Sequence, residues 1–124
     1  MNLLITGGTG FIGKQVVSRA LNMGCRVFSL QRNTGVFGND VEVVIADLTE
    51  PASYMPKIVD LDIDACIHLA WSGIPDLGKF NSILNVRNSN RFIDFLLSNT
   101  SCRKVVSTGS CLEYQASGDQ ITEG

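Results

Sequence analysis

The 124 residues include 44% hydrophobic residues and carry a formal net charge of −2 from 10 Lys and Arg against 12 Asp and Glu, enough for one compact domain and too little for two. The charges are scattered, with no basic run to neutralise a row of phosphates, so no nucleic acid is expected as a partner. No apolar run approaches the roughly 20 residues of a membrane span and no charged leader precedes Leu3, so no membrane is expected and the chain is expected to be cytoplasmic.

Asn2 to Thr6 is a brief apolar run stopped by Gly7 and Gly8, which reads as a buried strand rather than a helix. From Phe11 to Met23 the apolar residues Phe11, Ile12, Val16, Ala20 and Leu21 fall mostly on one helical face, and Gly24 stands where a C-terminal cap belongs. Arg26 to Gln31 and Val41 to Ala46 are β-branched and apolar, separated by the turn-rich Asn33 to Asp40, and read as the second and third strands. Pro51 and Pro56 frame a short, weakly helical stretch. Ala65 to Ala70 reads as a buried fourth strand, followed by a loop from Trp71 to Lys79. Ile83, Val86, Asn90, Ile93 and Leu97 recur at spacings of three and four, predicting a helix from Ser82 to Ser98 with Asn90 as the polar intruder on its stripe. Lys104 to Thr108 is the fifth strand, and Ser110 to Gly124 is polar and loop-like. Cys25, Cys66, Cys102 and Cys111 stand far apart, with no C-x-x-C pair and a single histidine in the chain, so all four are read as reduced thiols and no metal site is expected.

Strands alternating with helices predict an α/β fold, a doubly wound parallel sheet in the order 3-2-1-4-5. Gly8-x-Gly10-x-x-Gly13 lies directly after the first strand and opens the first helix, the context that a dinucleotide-binding loop requires. The first glycine lets the chain turn tightly, Gly10 lets the backbone approach a pyrophosphate, and Gly13 lets the helix pack closely. The helix N-terminus then presents free N–H groups to the phosphates. Residues 1–124 therefore read as the front part of one Rossmann-type dinucleotide-binding domain, with no second domain.

In such a domain an acid at the end of the second strand would bind the 2′-hydroxyl of NAD. Gln31-Arg32 stands there instead, with no carboxylate to repel a 2′-phosphate and a guanidinium to clamp one, which favours NADP over NAD. An ordinary solvated arginine is the competing reading.

With these residues in place, the chain resembles the extended short-chain dehydrogenase/reductase family, the NAD(P)-dependent epimerases, dehydratases and reductases of nucleotide sugars. Thr6-Gly7-Gly8-Thr9-Gly10-Phe11-Ile12-Gly13 is similar to the family's Thr-Gly-x-x-Gly-x-x-Gly loop. Asp47-Leu48 resembles the pair beside the adenine, His68-Leu69-Ala70 the segment that lines the cofactor after the fourth strand, and Asn85 the asparagine of the family's long fourth helix. Val106 to Tyr114 resembles the fifth strand and the loop with the catalytic serine, which by this match is Ser110. The resemblance implies a cofactor site of Gly7, Gly10, Phe11, Ile12, Gly13, Arg32, Asp47, Leu48, Leu69, Ala70 and Asn85. Plainer roles compete: Asp47 as a cap, His68 as a packed strand residue, Asn85 as a local anchor and Ser110 as a turn serine.

The family's chemistry uses Tyr-x-x-x-Lys, but Ile58 stands four residues after Tyr54 and Gly118 four after Tyr114. The chain is therefore expected to be a truncated piece of a longer protein, inactive alone, whose intact parent takes a nucleoside-diphosphate sugar. The alternative is a non-catalytic NADP(H)-binding sensor or scaffold. An uncovered fifth strand is an exposed sheet edge, so self-association is expected through that edge or through the helix from Ser82 to Ser98.

Overall fold

Five parallel strands in the order β3-β2-β1-β4-β5 make up the sheet of the computed structural model, which describes residues 1–76 and 78–110. In chain order the elements are β1 (Asn2–Thr6), α1 (Phe11–Asn22), β2 (Arg26–Gln31), β3 (Val41–Ile45), α2 (Pro51–Ile58), β4 (Ala65–His68), α3 (Lys79–Asn99) and β5 (Lys104–Ser107). β1 is central: Thr6 is level with Leu30 of β2 on one side and with His68 of β4 on the other. Because every strand runs the same way, all the strand C-termini open onto one edge, and the chain reverses its direction of travel across the sheet at β1. That reversal is where ligands bind in doubly wound sheets.

Alternate residues of the strands feed two cores. Leu3, Ile5, Val27 and Val41 pack under Val17 and Ala20 of α1. Leu4, Phe28, Leu30 and Cys66 face the other way, against Tyr54 and Ile58 of α2 and Phe92 and Leu96 of α3. Right-handed crossovers impose this division, since α1 links strands leftwards while α2 and α3 link them rightwards. Tyr54 stands edge-on to Phe92, with ring centroids 5.4 Å apart, and each buried ring contributes about 1.5–3 kcal/mol relative to exposure.

Several expectations change. Phe11 and Ile12, assigned to the buried stripe of the first helix, are 92% and 58% exposed; the buried residues of α1 are Gly13, Val17 and Ala20. α2 runs through Pro56 to Ile58, because burying Tyr54 and Ile58, four apart on one face, holds the last turn down. α3 begins at Lys79, ahead of Ser82, behind an N-cap glycine with no side-chain cap. Its buried face is Asn85, Phe92 and Leu96, while Ile83, Val86 and Leu97 of the sequence-derived stripe are exposed. Cys25, Cys66 and Cys102 are free, and burial pushes the Cys66 thiol far up, so it is an inert core group; Cys111 lies outside the described residues.

Candidate functional site

The β1–α1 loop is built on two close approaches that only glycine permits. Gly7, not Gly8, takes the left-handed conformation, at φ +70°, and a Cβ there would lie 2.8 Å from the backbone nitrogen of Ala70. A Cβ on Gly13 would lie 2.0 Å from the carbonyl oxygen of Gly7, so Gly13 packs against the loop itself at the end of β1. The loop closes through Gly10 N–H to the Gly7 carbonyl at 3.1 Å, and the first helical hydrogen bond runs from Lys14 N–H to the Gly10 carbonyl at 3.0 Å. The N–H groups of Phe11, Ile12 and Gly13 consequently have no partner among the described residues, and α1 has neither a side-chain cap nor an acid in its first turn. This leaves a positive helix end open to an anion.

A cleft of about 450 Å³ extends from this loop along the C-terminal edge of the sheet. All eleven residues expected around a cofactor line it: Gly7, Gly10, Phe11, Ile12 and Gly13 at its centre, Arg32, Asp47 and Leu48 on one flank, and Leu69, Ala70 and Asn85 on the other. The exposure of Phe11 and Ile12 thus has a use, since both face this space. Ser110 is exposed and is not among the lining residues; at the end of β5 it is Thr108 that reaches the cleft.

On the β2 flank Gln31 is buried and Arg32 is exposed, without a partner among the described residues. Asp47 Oδ1 accepts from both the N–H and the hydroxyl of Thr49 at 2.8 Å, and its backbone is bracketed by the Ser53 hydroxyl. Asp47 therefore closes the turn after β3 and does not cap α2, whose N-cap is Glu50 with no side-chain hydrogen bond.

On the β4 flank, His68 spans the sheet and the helix layer. Its Nδ1 hydrogen-bonds with Thr6 Oγ1 at 2.7 Å and its Nε2 with Ser89 Oγ at 2.9 Å, while its ring lies against Phe92. Burial lowers its pKa, so the imidazole is neutral at pH 7. Asn85 accepts from Ser72 N–H at 2.8 Å and donates to the carbonyls of Ser72 at 2.9 Å and Asn81 at 3.0 Å, holding the loop that carries Trp71 against the cleft. Sequence reasoning passed over Trp71, Ser72, Asn88, Ser89 and Thr108, all of which line the cleft. Ser89 follows Asn85 by one helical turn, and that spacing was the available signal.

Among the described residues no group of three His, Cys, Asp or Glu could hold a metal ion, and no helix is long and apolar enough to cross a membrane.

A parallel sheet that reverses its winding beside a glycine-cradled helix end is a Rossmann-type dinucleotide-binding domain. Residues 3–124 match the NAD dependent epimerase/dehydratase family, an enzyme family, and the chain belongs to it. It is similar to the UDP-N-acetylglucosamine 4-epimerase of Bacillus cereus, at 25% identity and TM-score 0.76 over 99% of this chain and 41% of that one. It also shares its fold with an NAD-bound short-chain dehydrogenase/reductase superfamily protein of Agrobacterium tumefaciens (22% identity, TM-score 0.68, covering 86% of this chain and 32% of that one). A third likeness is to the yeast methylglyoxal/isovaleraldehyde reductase complexed with NADPH (16% identity, TM-score 0.75, covering 89% and 37%). The chain thus spans well under half the length of each of these proteins.

Proposed function

We propose that this chain supplies the cofactor-binding half of an NAD(P)-dependent epimerase, dehydratase or reductase acting on a nucleoside-diphosphate sugar, with NADP preferred over NAD. One observation carries the reading: the unpaired N–H groups of Phe11, Ile12 and Gly13 open into a cleft whose opposite flanks hold Arg32 and Asn85. In this reading those N–H groups receive the pyrophosphate and Arg32 the 2′-phosphate. Asp47 and Leu48 lie beside the adenine, and Leu69, Ala70 and Asn85 border the nicotinamide. The bound nicotinamide supplies hydride transfer. Ser110 hydrogen-bonds the substrate oxygen, and its place after β5, two residues past the cleft-lining Thr108, is compatible with that role. The sequence holds no Tyr-x-x-x-Lys pair, so these residues do not exchange the substrate proton and the chain alone is inactive. The Bacillus cereus relative, named for a nucleotide sugar, supports the substrate class. An NADP preference favours a reductase, because an epimerase recycles its cofactor within each turnover.

Trp71 is the only tryptophan and lies on the cleft, so energy transfer from its indole to the nicotinamide reports binding. Titration with NADPH and NADH should quench Trp71 emission with tighter binding of NADPH, and Arg32→Ala should weaken NADPH alone. Binding of neither dinucleotide would refute the cofactor-site reading.

The same reading places the protein in the cytoplasm and includes self-association. Among the described residues β5 is a sheet edge with Val106 half-exposed, and Phe80, Ile83 and Val86 stand exposed on α3. Light scattering at rising concentration should show a growing mass, and a strictly monomeric profile would exclude it.

A further inference from the structure

β2 carries two buried polar side chains, Ser29 and Gln31, at 0% and 6% exposure. They alternate with Phe28 and Leu30 and so share one face of the strand. The Ser29 hydroxyl donates to Gln31 Oε1 at 2.8 Å, and Gln31 Nε2 donates to the carbonyl of Asn33 at 2.7 Å. The second bond fixes the amide, since the opposite orientation would set the Gln31 oxygen against the Asn33 carbonyl. Ser29 is wedged in turn against the glycine loop: a Cβ on Gly8 would lie 3.0 Å from its hydroxyl oxygen. A polar relay therefore runs along β2 from Ser29, packed beside the glycine loop, through Gln31 to the turn that follows.

Arg32 sits inside this relay. The Gln31–Asn33 bond closes a short ring of chain around it, and the Asn33 carbonyl is the only backbone polar group of residues 32–37 in a hydrogen bond among the described residues. The turn that aims the guanidinium is thus tied to the sheet next to Arg32 by one side-chain amide. A carboxylate at position 31 would fail twice here: it has no hydrogen to give Asn33, and its charge would oppose an anion held by Arg32.

We propose that Gln31 is a positioning residue for Arg32, and that the Ser29–Gln31–Asn33 relay sets the selectivity for a dinucleotide bearing a 2′-phosphate. This rests on the reading of Arg32 as the 2′-phosphate clamp. Gln31 acts on the selectivity by holding the turn, so its effect exists only while the guanidinium is present.

The test compares dissociation constants for NADPH and NADH, which differ only in the 2′-phosphate, in the wild-type chain, Gln31→Met, Ser29→Ala, Arg32→Ala and the Gln31→Met/Arg32→Ala double variant. Methionine keeps the length and volume of Gln31 and removes both hydrogen bonds. It should lower the NADPH-over-NADH preference about threefold to tenfold, the value of one buried hydrogen bond, with Ser29→Ala moving it the same way and less. In the Arg32→Ala background Gln31→Met should lower the preference no further, the non-additivity expected of a residue that acts through another. Should Gln31→Met fail to fold, Ser29→Ala decides. An unchanged preference in Gln31→Met and Ser29→Ala, with a large loss in Arg32→Ala, overturns the relay and leaves the clamp standing. An equal loss with and without Arg32 overturns positioning, and no change in Arg32→Ala overturns the clamp and the relay together.

Discussion

Substituting Gly13 by alanine tests the loop most directly. The new methyl carbon would lie 2.0 Å from the Gly7 carbonyl oxygen and 2.7 Å from the Gly8 Cα, against a closest ordinary carbon–oxygen contact of roughly 3.3 Å. Both obstacles are backbone, so the first turn of α1 must move by about 1.3 Å relative to the end of β1. Overpacking of this kind costs about 1–3 kcal/mol, and the gain in helix propensity from Gly to Ala returns at most about 1 kcal/mol. The expected net loss is about 1–2 kcal/mol, or a melting temperature lower by roughly 3–10 °C for a chain of this size. The displaced N–H groups of Phe11 and Ile12 should also weaken dinucleotide binding by tenfold or more, read by Trp71 quenching. Gly38→Ala is the control, because a Cβ at Gly38 meets nothing within 4 Å. A Gly13→Ala variant that melts and binds like the Gly38→Ala variant would refute the argument from close approach.

The hydroxyl of Tyr54 is buried with no hydrogen-bond partner among the described residues, so Tyr54→Phe should melt at the wild-type temperature or up to a few degrees higher. Asn85→Asp keeps the acceptor for Ser72 N–H but sets a carboxylate oxygen against the Ser72 and Asn81 carbonyls; a loss of about 1–3 kcal/mol in denaturant unfolding is expected, with weaker NADPH binding. His68 is the only histidine, and burial holds its pKa below the ordinary 6.5. The unfolded chain therefore binds the proton first, so stability should fall as pH drops below about 6.5, by at most about 1.4 kcal/mol per pH unit, and level off below the folded-state pKa. His68→Gln should flatten that part of the profile, and an unchanged slope between pH 6.5 and 5.5 would show that another group titrates there.

Strand boundaries were legible wherever composition was unambiguous: Arg26–Gln31 is β2 to the residue, since its β-branched and apolar run ends at a turn-rich segment. The order of the sheet followed from the glycine loop, which marks a dinucleotide-binding domain, together with right-handed crossovers. Faces were harder to read than elements. Phe11, Ile12, Ile83 and Val86 count as apolar in any periodicity, yet Phe11 and Ile12 of α1 face the cleft, and Ile83 and Val86 stand exposed on α3, whose buried face holds the polar Asn85. The residue at positive φ could not be chosen between Gly7 and Gly8 without knowing that the backbone of Leu69 and Ala70 closes in on it. The relay through Ser29 left one trace in the sequence, two polar residues spaced by two in an otherwise apolar strand. Asp47 was legible as an acid in a useful place, while its bonds to Thr49 depend on the turn.

The central position of β1 also sets an order of events. β1 pairs with β2 after only 24 residues, Asn2 with Arg26, but its other edge waits for β4, where Thr6 meets His68 across 62 residues. A nascent chain that has emerged as far as β3 therefore holds the glycine loop and half a sheet, with the unpaired side of β1 bare and Gly7 lacking the Ala70 backbone that fixes it. Contacts this distant in sequence are slow to form and leave unpaired strands exposed in the meantime. The cradle is made well before β4 and completes its shape only once β4 has joined the sheet.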